Sequence, residues 1–262
     1  MREALVFVLF MAAPGGIALA PVQLEPAFEV ASINRVVSPD MIYGIRPVDS
    51  SGRFHAIITV RDLIGVVYGS PLALLDSQIV NVPAWARNDR FEIIAKAPGA
   101  LSHDTLLAMV RTLLAERFEL RMHKQTRQLP VYDLMLERTG EMGPRLRQAN
   151  GQCLSDPKEA AADIERACGF KHATTISISA LGMTLDTFAS GIATRPEVQR
   201  RVRNRTGLNG MFDIDVEFMP KPDAPDAAFF TAFREQLGLR FQSATGPLEV
   251  FIVDGVRPPT LN

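Results

Sequence analysis

The chain is poor in the residues that most often announce a function. One Trp and three Tyr in 262 residues leave few platforms on which nucleic-acid bases could stack. A net charge of −1 supplies no excess of either sign, so a polyanionic partner such as nucleic acid is not expected. The four histidines are scattered at 55, 103, 123 and 172, and the two cysteines lack CxxC spacing, so no metal set is spelled out. The G-x-S-x-G, H-E-x-x-H, P-loop and dinucleotide patterns are missing as well. One short match exists, Ser155-Asp156-Pro157-Lys158, which has the S-x-x-K spelling. It lacks a K-T-G or S-D-N companion, and Pro157 interrupts the helix that would bring the amine onto the hydroxyl. No catalytic, cofactor-binding or metal-binding residue is assigned.

What is present is an ordinary globular balance, 47 % hydrophobic and 22 % charged residues. A long apolar run stands at the start. Met1-Arg2-Glu3 precedes Ala4–Ala13, then Pro14-Gly15-Gly16 and Ala18-Leu19-Ala20, the order of a signal peptide over 1–20. The alternative is an uncleaved N-terminal anchor, since Ala4–Val22 approaches membrane-spanning length; Pro14-Gly15-Gly16 in its middle opposes a stable spanning helix. Export predicts a periplasmic or secreted protein without a stable membrane span once the signal is removed. In an oxidising compartment Cys153 and Cys168, 15 positions apart, are expected to form a disulfide.

The remaining sequence reads as one unit written twice. Val60–Tyr68, Phe91–Ala97, His103–Glu116, Phe118–Gln125 and Val131–Glu137 recur as Leu185–Ile192, Phe212–Phe218, Ala227–Leu237, Leu239–Ser243 and Leu248–Asp254. Phe91 to Phe118 spans 27 positions, and Phe212 to Leu239 spans 27 again. The pattern predicts an α+β fold of tandem duplicated β-α-β-β-α-β-β units, small sheets with two packed helices each. The expected first unit is 24–138 and the second 172–257, with 139–171 a linker that holds the disulfide loop. Thr59 and Ser102 are expected to cap helices, and Gly238 to end one. Trp85 is expected to plug the core under a loop.

The most basic stretch is Arg200, Arg201, Arg203 and Arg205, interrupted by Val202 and Asn204. Two readings compete. In the first, a hairpin through Thr206–Gly210 sets the arginines against Asp213, Asp215 and Glu217 across two strands. In the second, the four arginines are a candidate partner-binding patch.

Several phrases carry a resemblance to a known family. They include Phe28-Glu29-Val30-Ala31-Ser32-Ile33, Pro83-Ala84-Trp85, Leu114-Ala115-Glu116-Arg117-Phe118 and Arg205-Thr206-Gly207-Leu208-Asn209-Gly210. Together with Asp89-Arg90-Phe91-Glu92-Ile93 and Glu235-Gln236-Leu237-Gly238-Leu239, they cover most of residues 28–256. This resembles an uncharacterised, soil-associated family of exported acidobacterial proteins, which brings no assigned activity. Each half is also similar to the short N-terminal domain of secretins and TonB-dependent receptors, through Met183–Phe188, Phe212–Phe218 and Phe229–Leu239. That resemblance implies a module that docks protein partners in the periplasm. The expected function is therefore a protein- or ligand-binding module of the cell envelope without a cofactor. The alternatives are an extracytoplasmic hydrolase of a cell-wall or plant polymer, and a sensor domain partnering a membrane-bound peptidase.

Overall fold

The computed structural model describes residues 25–38, 41–46, 52–69, 73–99, 101–151, 153–219 and 225–259; the expected signal segment, 1–20, lies outside them. The described residues form three four-stranded sheets. The first orders β1 (Val30–Val36), β5 (Arg90–Lys96), β3 (Arg53–Thr59) and β2 (Gly44–Arg46), all antiparallel. The middle one orders β10 (Arg201–Asn204), β6 (Arg121–Leu136), β12 (Leu239–Gly255) and β4 (Ile79–Val80). The third orders β7 (Leu146–Gln148), β11 (Phe212–Glu217), β9 (Ser177–Met183) and β8 (Gly169–Ala173). Helices α1 (Val60–Gly69), α2 (Ala84–Asn88) and α3 (His103–Arg117) belong to the first half. The second half contains α4 (Pro157–Ala162), α5 (Leu185–Ile192) and α6 (Pro225–Ala232), the last running on into a π-helical turn, Phe233–Leu237.

Local chemistry explains these elements. In β5 the alternation buries Phe91, Ile93 and Ala95 and leaves Arg90 and Lys96 exposed. Ser102 Oγ accepts the Thr105 amide at 3.1 Å and Thr184 Oγ1 the Thr187 amide at 3.2 Å, each supplying an acceptor to an orphan donor at a helix start. Gly238, at φ 67°, closes the π-helical turn in the left-handed conformation. The Asp62 amide donates to Thr59 Oγ1 at 3.1 Å, the expected cap of α1. Trp85 packs edge-on against Phe91, with ring centroids 6.2 Å apart, beside the first core.

The order β3-α1-β4-β5-α3-β6 repeats as β9-α5-β10-β11-α6-β12. The paired strands expected to close each unit, Phe118–Gln125 with Val131–Glu137 and Leu239–Ser243 with Leu248–Asp254, are not separate. β6 and β12 each run through as single strands and pair antiparallel with each other along nearly their whole length. Pro130 lies opposite Thr245 and Pro247 opposite Gln128. These fall on the same alternate set of ladder pairs, where an N–H points away from the partner, so the prolines cost the β6–β12 ladder no hydrogen bond.

The halves also exchange arms. Leu120, just before β6, and Met122 at its start belong to the first core, and its end brings Tyr132, Leu134 and Leu136 to the second. β12 does the reverse, with Leu239 and Phe241 in the second core and Phe251 and Val253 in the first. Equivalent buried positions are Val110 and Phe229, Leu114 and Phe233, Phe118 and Leu237, and Leu120 and Leu239, each pair 119 positions apart (239 minus 120). The paired residues Gln128 and Pro247 share that spacing and mark an approximate two-fold axis.

The outer strands follow the same exchange. β4 of the first half runs parallel to β12, and β10 of the second runs parallel to β6. The expected hairpin of the basic stretch with β11 is therefore replaced: β11 lies between β9 and β7 instead. The reason is burial, because Val202 sits beside Tyr132 on β6 and closes the second core. Arg203 then meets Asp133, Nε to Oδ1 at 2.7 Å and Nη2 to Oδ2 at 2.9 Å, a bidentate clasp across β10 and β6. Its guanidinium occupies the space a Cβ would need at Gly246.

Residues 139–171 contain more than a linker. They supply β7 and α4 and carry Cys153 and Cys168, whose sulfurs are 2.04 Å apart. Gly182 of β9 faces this bridge, and a Cβ there would stand 2.2 Å from Cys153 Sγ. Asp156 caps α4, accepting from the Lys158 and Glu159 amides, so the S-x-x-K spelling is helix-start chemistry.

Two measurements test this arrangement. Closing a loop of this size stabilises the fold by about 3 kcal/mol in the chain-entropy view. Reductant should therefore lower the melting temperature by on the order of 5–10 °C; a superimposable melting curve would show that the bridge does not support the fold. Arg203→Glu should also lower it, and adding Asp133→Arg should restore part of the loss. If the double variant melts no higher than the single one, the β10–β6 clasp is not what holds the strand.

Candidate functional site

The four arginines of the basic stretch go to different places. Arg201 spans the halves: its Nε donates to Gln78 Oε1 at 2.8 Å and its Nη2 to the Ala73 carbonyl at 3.0 Å. Gln78, itself buried, passes the link to the Glu249 carbonyl on β12 at 2.9 Å. Burial pushes the Arg201 pKa down, as expected for a cation removed from water. Arg203 is held by Asp133. Arg205 is exposed, and Arg200 lies over the Tyr132 ring at 4.9 Å. Two of the four are thus engaged in holding strands together.

A cleft of about 510 Å³ lies between the halves, lined by Arg61, Asp62, Asp76 and Arg87 from one side and Thr194 and Gln199 from the other. Its two carboxylates are tied to arginines. Asp62 accepts from Arg61 Nη1 at 2.7 Å, while Asp76 receives Arg87 Nη1 at 2.6 Å and lies 3.2 Å from Arg61 Nε. Burial works against the charge on Asp62. Hydrogen bonds from Tyr43, Arg61 and Thr59 outweigh it and hold the carboxyl below its ordinary range. A glycosidase acid needs the opposite shift, upward toward neutrality. Asp62 is thus suited to positioning a ligand rather than to donating a proton.

A different site appears at each end of the β6–β12 ribbon. At the first-half end a groove of about 400 Å³ is lined by Tyr68, Phe251, Met122, Arg121, His123 and Lys124, with Asp254 at its rim. Lys124 lies over Phe251 at 5.2 Å and is paired with Glu249 at 3.0 Å; His123 is paired with Asp254 at 2.9 Å. At the second-half end a groove of about 360 Å³ is lined by Tyr132, Phe230, Phe241, Arg234, Arg240 and Ser243, with Glu137. Under the 119-position spacing, Tyr132 matches Phe251, Phe241 matches Met122, Arg240 matches Arg121 and Ser243 matches Lys124. The two grooves are one site present twice.

Their charges differ. Glu249 and Asp254, which pair with Lys124 and His123 beside the first groove, correspond to Pro130 and Met135 in the second. Arg234 replaces Ala115, and Phe230 replaces Arg111. Among the described residues no carboxylate pairs with Arg200, Arg234 or Arg240. Beneath them Tyr132, Phe230 and Phe241 are half-buried, their centroids 5.1–5.8 Å apart and their planes tilted by 56–83°. The sequence signalled Arg200 through the arginine run. It gave no warning of Arg234, Phe230 or Phe241, because Tyr132, the ring that completes their groove, comes from β6, 98 or more positions away (230 minus 132).

Among the described residues no group of His, Cys, Asp and Glu is placed to hold a metal ion, and no helix is long and apolar enough to cross a membrane. No curated protein and no solved structure matches the chain. A match does come from the family described as "Protein of unknown function (DUF3738)", over residues 61–256, from α1 to the end of β12. That span takes in both cores, the exchanged arms and both grooves, and the chain therefore belongs to this family of unknown function.

Proposed function

We propose that the protein is an exported binding module of the bacterial cell envelope, docking a protein partner rather than turning over a substrate. The observation that carries this reading is the second-half groove, where three aromatic rings stay half-buried, Arg200 lies over one of them, and among the described residues no carboxylate pairs with Arg200, Arg234 or Arg240. Leaving apolar area wet forgoes roughly 25 cal/mol per Å² of burial, so a partner that covered the rings would recover it. A bridged cysteine pair fits an oxidising compartment, as does the N-terminal signal pattern. The tandem arrangement is in keeping with the likeness to secretin and TonB short N-terminal domains, which dock partners in the periplasm. The hydrolase reading is weaker, since Asp62 of the central cleft is shifted away from neutrality by hydrogen bonds from Tyr43, Arg61 and Thr59, and Asp76 is tied to Arg87.

A pull-down from envelope extract tests the proposal. The mature protein should retain a partner that the Phe230→Ala/Arg234→Glu variant, folded to the same melting temperature within a few degrees, fails to retain. Retention of the same set by both proteins would remove the groove from the account.

A further inference from the structure

The two ribbon-end grooves share a backbone plan but have opposite electrostatic solutions. In the first, Lys124 is answered from within by Glu249 and the His123 ring is hydrogen-bonded to Asp254, while Arg121, the counterpart of Arg240, pairs with no carboxylate among the described residues. In the second, Pro130 and Met135 stand where those acids would be, and the rim gains Arg234 while Arg200 covers Tyr132. Arg240 Nη1 has only the neutral Gln242 Oε1 at 3.1 Å, and Glu137 is the one acid lining the groove. An unanswered set of guanidiniums over an apolar floor is complementary to an anion that carries an apolar group. Resting on the binding-module reading above, we infer that this groove takes an acidic peptide segment of the partner, its carboxylates on Arg200, Arg234 and Arg240 and an aromatic or large aliphatic side chain among the rings.

Ring geometry separates a peptide from the other acidic polymer of cell surfaces, a polyuronate. A sugar stacks flat on an open aromatic face. Here one Tyr132 face is covered by Arg200, and the rings meet at steep angles: Tyr132 with Phe241 at 83° and Phe230 with Phe241 at 80°. These make an angled socket for an inserted side chain, not a platform. A bound carboxylate between Arg234 and Arg240 leaves Glu137 to set the register by repelling a second acid on its side.

Chemical-shift titration of the full chain with synthetic peptides tests the assignment. The peptide DDFDD should bind with a Kd on the order of 0.1–1 mM, weakening several-fold between 50 and 500 mM salt. DDADD should bind at least five-fold more weakly, and KKFKK not at all. Arg234→Glu/Arg240→Glu should reduce DDFDD affinity at least ten-fold with an unchanged melting temperature, whereas Arg121→Glu, in the matching first-half groove, should leave it intact. Absence of DDFDD binding, or binding indifferent to Arg234→Glu/Arg240→Glu, overturns the acidic-peptide assignment. If the envelope partner is nonetheless captured in a groove-dependent way, the binding module stands and only the ligand class falls. Oligogalacturonate saturating the same residues where DDFDD does not would reassign the groove to a polyuronate and overturn the peptide.

Discussion

The fold depends on the antiparallel pairing of β6 with β12. Each strand starts in its own half and ends in the other, so neither core is complete without the partner arm. Leu134 is fully buried in the second core although its strand begins beside Leu120 in the first. Phe251 makes the reciprocal journey and packs against Tyr68 of α1, ring centroids 5.7 Å apart. Burial of side chains of this size is worth about 1.5–3 kcal/mol each, and here it is collected only when both arms cross. The halves should therefore behave as one cooperative body.

Crossing arms constrain the surface as well. A ribbon that must reach from one core to the other exposes its middle, and residues 123–130 are mostly exposed. Among the described residues its outer edges pair with β10 at 131–134 and with β4 at 251–252. Prolines at 130 and 247 blunt those edges by removing donors that another chain could recruit. The clasps of Arg201 on Gln78 and Arg203 on Asp133 then fix the short outer strands, which are too brief to hold their register by ladder bonds alone.

How much of this could be read from the sequence follows from the range of each interaction. The duplicated order, the caps at Thr59 and Ser102, the stop at Gly238 and the pairing of Cys153 with Cys168 are local or forced by composition, and all were legible. The arm exchange was not. A hairpin and an exchanged pair bury the same alternating residues, and Pro130 and Gly246 look like turn signals in either case. Only the distant Leu136–Leu239 and Val253–Met122 pairings decide between them. The same limit hid Arg201, which read either as a hairpin rung facing carboxylates or as part of a partner-binding patch, whereas the first half supplies Gln78 and Ala73 as its partners.

Duplication gives the grooves a meaning that neither would have alone. A charged rim can arise simply because long cationic side chains cover apolar edges well, and the first groove is such a case: Lys124 covers Phe251 and faces Glu249, and Asp254 stands beside His123. Its twin inherits the same backbone frame and the same ribbon position, so structural need alone would predict the same compensation. What stands there is Pro130 and Met135, with Arg234 added. A net positive rim over half-buried rings raises the free energy of the isolated chain relative to its twin. The arrangement becomes favourable once an outside anion completes it, which makes the contrast between twins a stronger argument for a ligand than the groove's shape.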